Sequence, residues 1–264
     1  MLKGLLAFHL ATGAAETRSG TGNSSINEAS AVSAARDFMG GGGDSSSRDS
    51  SEADEMRAFR QLFIAGRLLR RGVALPIVIE TIEAAMSGVD RGLNSPVAAV
   101  AVLADSLREI RARAIAAGST TDIPAVPRNV LSNIMRGRIE DIAGWALFNQ
   151  GKAAEAVVRL RRAASVLPEN TLWWRDAMWH LGTALDASGN GAEALAVMMK
   201  SYDRQSPNPV RRALLEALYV RMNGSLNNFD AKLGAVISSP ANASVSRVTA
   251  EPTRAPLKLS LIHI

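Results

Sequence analysis

The sequence predicts an all-α protein: antiparallel helix hairpins repeated as an α-solenoid, with flexible N- and C-terminal segments. Three observations point there. Apolar residues recur at spacings of three and four from about Ser51 onward, and no stretch alternates with the period of a strand. Alanine and leucine are plentiful while aromatics make up 5% of the chain, a balance that favours helix. The stretch 144–164 is written a second time at 182–202.

The elements follow in order. Residues 1–16 carry a lysine, a short apolar run and small residues at 11–15, the outline of a secretory signal. Export to the periplasm or beyond is expected if that segment is a leader, and a cytoplasmic location otherwise. Residues 17–51, rich in Ser, Gly and Asn and including GGGGDSSSRDSS, read as a disordered linker because they offer little to bury. Region 52–118 holds helices that pack on the repeat. SEAD at 51–54 is a capping-box pattern ahead of Met56, Phe59, Leu62, Phe63, Leu68 and Leu69, and Gly72 closes that helix. Pro76 opens a second helix with Ile79, Ile82 and Met86 on one side. NSP at 94–96 starts a third, running through Val100, Leu103, Leu107 and Ile110 to Gly118. STTDIPAVP at 119–127 is a loop.

The repeat itself has mechanical content. Gly144 and Gly182 fall in mid-helix, where glycine costs roughly 1 kcal/mol against alanine. That cost is tolerable where a neighbouring helix presses on the backbone. Gly151 and Gly189 end the first helix of each copy, where a left-handed residue lets the chain reverse. Leu147 and Leu185 precede them, and Ala156 and Ala194 lie at the close contact of the second helix. Ala163 and Pro168 complete the first copy. Each copy therefore encodes two antiparallel helices joined by a tight turn.

Small residue, glycine turn, alanine and closing proline in this order resemble the tetratricopeptide repeat. The family's period is about 34 residues; here Gly144 and Gly182 lie 38 apart. The clear match covers about 139–207, a quarter of the chain; the repeat region is read as 127–238, with copies at about 139–170 and 173–207 and a degenerate one at 209–238, where Ala217, Val220, Gly224, Phe229 and Leu233 fall in place. It implies that the first helix of each pair lines a concave groove. The family's groove positions map onto Arg138, Asp141, Trp145, Phe148 and Asn149 in the first copy, and onto Asp176, Trp179, Thr183 and Asp186 in the second. The third adds Arg211, Leu214 and Leu218. Trp145, Phe148 and Trp179 would then anchor a peptide, or alternatively pack between helices. Trp173 and Trp174 are expected to pack under the connection before the second copy. Members that bind chaperone tails hold a terminal carboxylate with Lys, Asn and Arg. Asp141 and Trp145 stand at two of those places, so that clamp is not expected.

Other chemistry is sparse. With no cysteine there is no disulfide, thiolate metal site or cysteine nucleophile. Histidine occurs only at 9, 180 and 263. His180 has no second histidine at i+4, so no metal site is expected, and it is positioned to pair with Asp176 on the same helix face. No catalytic residue and no cofactor are assigned. The net charge of +5 comes mainly from arginines interleaved with acids, which argues against a nucleic-acid partner. The longest apolar run, PVAAVAVLA at 96–104, is too short for the ~18–20 residues of a membrane span and reads as buried helix.

Residues 239–258 read as a second linker. LSLIHI at 259–264 matches the translation of a transposon-end sequencing adapter, so this tail is expected to be non-native and a downstream domain missing. The expected function is a non-enzymatic, bacterial scaffold or interaction module that takes a protein or peptide segment in the groove. The alternative is the regulatory or spacer region of a longer enzyme, redoxin-like or protease-like.

Overall fold

The structure, a computed structural model, describes residues 28–39, 55–116, 118, 125–204 and 206–237. Among these it contains ten helices and no strand. They are α1 Glu28–Met39, α2 Arg57–Arg71, α3 Leu75–Gly92, α4 Ala98–Ala116, α5 Arg128–Asn149, α6 Ala153–Val166, α7 Leu172–Ala187, α8 Gly191–Ser201, α9 Pro209–Asn223 and α10 Phe229–Ile237. The fold is all-α. Segments 1–16, 119–124 and 238–264 lie outside the described residues, as does SEAD at 51–54.

Successive helices pair as hairpins, α2 with α3, α5 with α6 and α7 with α8, and each hairpin packs on the next through α3 on α5 and α6 on α7. In the C-terminal pair, α8 meets both α9 and α10. Two apolar clusters result. One is centred on α2, α3 and α5 and holds Leu68, Ile82, Met135 and Ile139; the other runs from Leu160 and Leu185 to Leu215 and Leu233.

The two sequence copies make the same turn. Lys152 N donates to Leu147 O at 3.0 Å, and Asn190 N donates to Leu185 O at 2.9 Å. Gly151 and Gly189, at φ 78° and 83°, hold the left-handed conformation that lets the chain reverse. The mid-helix glycines are points of close approach. A Cβ on Gly144 would stand 2.6 Å from Leu160 Cγ, and one on Gly182 would stand 2.5 Å from Met198 Cγ. Ala156, Ala163 and Ala194 are fully buried in the facing helices.

Local signals start and join the helices. Thr171 Oγ1 accepts from Trp174 N at 3.2 Å and donates to Pro168 O at 2.7 Å, so the closing proline of one unit is tied to the first turn of the next. Asn208 Oδ1 accepts from Val210 N and Arg211 N, both at 3.0 Å, at the head of α9. Arg128 donates to Asp90 O at 2.8 Å and Leu93 O at 3.0 Å, satisfying carbonyls at the end of α3 and fixing α5 against it.

Three expectations are corrected. The linker assigned to 17–51 contains α1, which buries Ala31, Ala34, Ala35 and Phe38. Phe38 meets Phe63 of α2 edge-on, with ring centroids 6.2 Å apart. Small residues at helical spacing allow that close packing even where the composition is poor in large apolar groups. The run 96–104 is only half buried: Val102 and Leu103 face inward, while Val97 and Val100 are 46% and 44% exposed. Trp173 and Trp174 are buried as expected, but within the first turn of α7 and not under a connection before it.

Candidate functional site

On α5, residues 138, 141, 145 and 148 follow helical spacing and share one face. α7 brings Asp176, Trp179, His180 and Thr183 alongside it, and α9 contributes Arg211. The centre is a stack of three rings. Trp145 lies over Phe148 with centroids 4.8 Å apart and planes 10° from parallel, and over His180 at 4.2 Å and 16°. His180 Nδ1 is 2.8 Å from Asp141 Oδ1. The stack thus couples two successive hairpins through an aromatic contact and a hydrogen bond to a carboxylate.

The electrostatics follow from this geometry. Burial is the largest single influence on His180 and disfavours its charged form. The Asp141 charge and its hydrogen bond, with Asp176 beyond, outweigh burial even though Arg211 opposes them, so the pKa is raised above 6.5. The imidazole lies flat against the indole face, where its protonated form would make a cation–π contact.

The expected pairing of His180 with Asp176 is therefore corrected. The imidazole turns across to α5, and Asp176 instead pairs with Arg211 of α9. Arg211 also spans Trp179, with its guanidinium carbon 5.3 Å from the ring centroid. Trp179 is only 8% exposed, so of the three aromatics assigned to the groove it belongs to the helix interface. Trp145 and Phe148 stay partly exposed. Asp186 pairs with Arg221. Leu218 is buried, while Leu214 is 54% exposed.

The remaining positions are held by local bonds. Asn149 is exposed and its Nδ2 donates to Trp145 O at 2.7 Å, on the last turn of α5. Thr183 Oγ1 donates to Trp179 O at 2.9 Å. Arg138 lies at the other end of the strip. Its Nη1 donates to Val102 O at 3.2 Å, its Nη2 meets Asp105 Oδ2 at 2.8 Å, and its guanidinium carbon is 5.6 Å from the Trp173 ring. Burial, the dominant influence, lowers the Arg138 pKa; Asp105 and Asp141 oppose that, and Arg70 adds to it.

Sequence reasoning missed two contributors. Helical spacing pairs His180 with Asp176, whereas its place beside Trp179, one repeat on from Asp141, brings it across the hairpin junction. Asp105 gave no signal, because its contact depends on the path of α4. Two clefts lie away from this strip. One of about 300 Å³ between α2 and α3 is lined by Arg57, Gln61, Ser87 and Arg91. The other, about 640 Å³ and open, lies at the hairpin turns by Leu75, Pro76, Ile79 and Lys152. No helix among the described residues is long and apolar enough to cross a membrane.

Comparison with family models, with curated proteins and with solved structures returns no match. The tetratricopeptide resemblance therefore rests on the residues of the repeat alone.

Proposed function

We propose that the chain is a non-enzymatic interaction module of the tetratricopeptide-repeat kind, taking a protein or peptide segment along the face shared by α5 and α7. The observation that carries this reading is the stack of Phe148 and Trp145 on His180, partly exposed yet fixed from beneath by Asp141. Large aromatic surface held in one orientation loses little freedom on binding, which is what an anchor requires. Asn149 and Thr183 border the stack with polar groups, and Asp176 with Arg211 closes it toward α9. Asp141 on Nδ1 and the indole on one ring face fix the imidazole, so the stack keeps one orientation.

The test is a selection of random peptides on the wild-type protein, followed by affinity measurement on a Trp145→Ala/Phe148→Ala variant. Loss of an aromatic anchor of ~2 kcal/mol or more corresponds to a drop in affinity of about thirtyfold or greater. Selected peptides that bind the double variant as well as the wild type would rule out Trp145 and Phe148 as the anchor.

A further inference from the structure

One helix already sits on this face from within the chain. α3 and α5 pack directly on each other, so α4 is not needed to fill a gap between the hairpins. It is inserted between them in sequence and folds back against α5. The side chain that meets it is Arg138, three residues before Asp141 and seven before Trp145 on the same stripe. Arg138 grips α4 twice, through the Val102 carbonyl and the Asp105 carboxylate, while its guanidinium also covers Trp173. Val102 and Leu103 are buried in the apolar cluster that also holds Trp173. Val100 and Ile115 of α4, with Val97 just before it, stay in solvent, Ile115 at 68% exposure. A helix that divides its apolar residues between protein and water is held by less burial than the hairpin helices, and its polar grip matters correspondingly more.

We propose that α4 is an internal occupant of a helix-binding seat around Arg138 and Trp173, and that the external ligand of this seat is an amphipathic helix of the same chemistry. Such a helix presents adjacent apolar residues to the seat, as Val102 and Leu103 do, and a carboxylate to Arg138, as Asp105 does. It competes with α4 for the site, so the partner's apparent affinity is reduced by the fraction of chains in which α4 is docked. The inference rests on the reading that the α5–α7 face is the interaction surface.

The test uses the full chain and a labelled peptide with the sequence of residues 96–116. Asp105→Ala in the protein removes the carboxylate from the internal helix but leaves the seat intact. The peptide, which keeps its aspartate, is expected to bind this variant about tenfold more tightly than wild type, and the α4 amides to exchange faster with solvent. Adding Arg138→Ala is expected to abolish the gain. Adding Arg138→Lys, which retains the charge without the forked geometry, keeps part of it and guards against a folding defect. Equal peptide affinity for wild type and Asp105→Ala overturns the proposal, as does a gain that survives Arg138→Ala. The aromatic-anchor test is read separately. If selected peptides need Trp145 and Phe148 but Asp105→Ala changes nothing, only the internal occupant fails. If Asp105→Ala behaves as expected but selected peptides ignore the aromatics, only the anchor reading fails.

Discussion

The hairpins α5/α6 and α7/α8 agree at one end and part company at the other. Their turns share backbone hydrogen bonds at corresponding residues, and their crossing points share a glycine facing a large side chain sixteen residues on, Leu160 or Met198. At the open end, Gly137 lets Leu167 close in, where a Cβ would stand 2.4 Å from Leu167 Cγ. The corresponding residue in the second hairpin is Arg175, which pairs with Asp203 instead. α8 is also shorter, at 11 residues against 14 for α6. The turn and crossing are fixed by how closely two backbones approach, so their residue types are confined. The open ends meet different neighbours and are free to differ.

The largest expected effect lies at the crossing points. Leu160 is fully buried, and Leu160→Ala is expected to cost about 3 kcal/mol, as emptied leucine sites do. Met198→Ala should cost less, about 2 kcal/mol, because the methionine is slightly exposed and its flexible neighbour Met199 can shift into the space. Gly144→Ala gains helix propensity but drives a methyl into Leu160, for a net loss of about 1–2 kcal/mol. Combined with Leu160→Ala, the new methyl fills vacated volume, so the double variant should lose less than the sum of the singles. Urea denaturation measures all four. An additive double variant would mean that Gly144 is not where the two backbones are closest.

A second contrast concerns the junctions between hairpins. The α5–α7 junction uses His180 with Asp141, whereas the α7–α9 junction uses Arg211 with Asp176 and Arg221 with Asp186. The first contains an imidazole whose pKa, against the opposing effect of burial, is raised by its carboxylate partner. Because the folded pKa of His180 is raised above 6.5, the folded chain holds a proton that the unfolded chain releases earlier as pH rises. The stabilisation is complete below 6.5 and fades as pH climbs through the folded value. Wild-type urea midpoints should therefore fall from pH 6 toward pH 8.5, and His180→Gln should flatten the part of the slope due to this residue. Equal slopes in the two proteins would separate His180 from the junction's stability.

How much of this was legible beforehand follows from the same physics. The turn at Gly151 and Gly189 was readable because a left-handed residue after a helix leaves few choices. The hairpin α2/α3 closes in the same way at Gly72, with Val73 N donating to Leu68 O at 3.3 Å, yet it did not register as a copy. Its glycines of close approach, Gly88 facing Ala58 and Gly92 facing Phe59, lie on the second helix, so an alignment on first-helix glycines passes over them. α1 was hidden because alanines at helical spacing carry a weak signal within a Ser- and Gly-rich stretch. The strip on α5 was legible as a helical face. Its partners were not, since spacing on one helix cannot say which neighbour His180 or Arg138 will meet.

The smallest expected effects compare two ion pairs that involve the second hairpin. Arg161 and Glu193 link α6 to α8 with side chains 53% and 45% exposed, whereas Arg175 and Asp203 are 30% and 25% exposed. Exposed pairs are screened by solvent and lose side-chain freedom, so Arg161→Ala should cost about 0.3 kcal/mol. Arg175→Ala should cost about 1 kcal/mol, because the pair is better shielded from solvent. Raising the salt to 1 M should erase the first effect and leave much of the second. If the two variants prove equal in low salt, the open end of the second hairpin is held by its apolar contacts alone, and Arg175 merely fills the place that Gly137 leaves clear in the first.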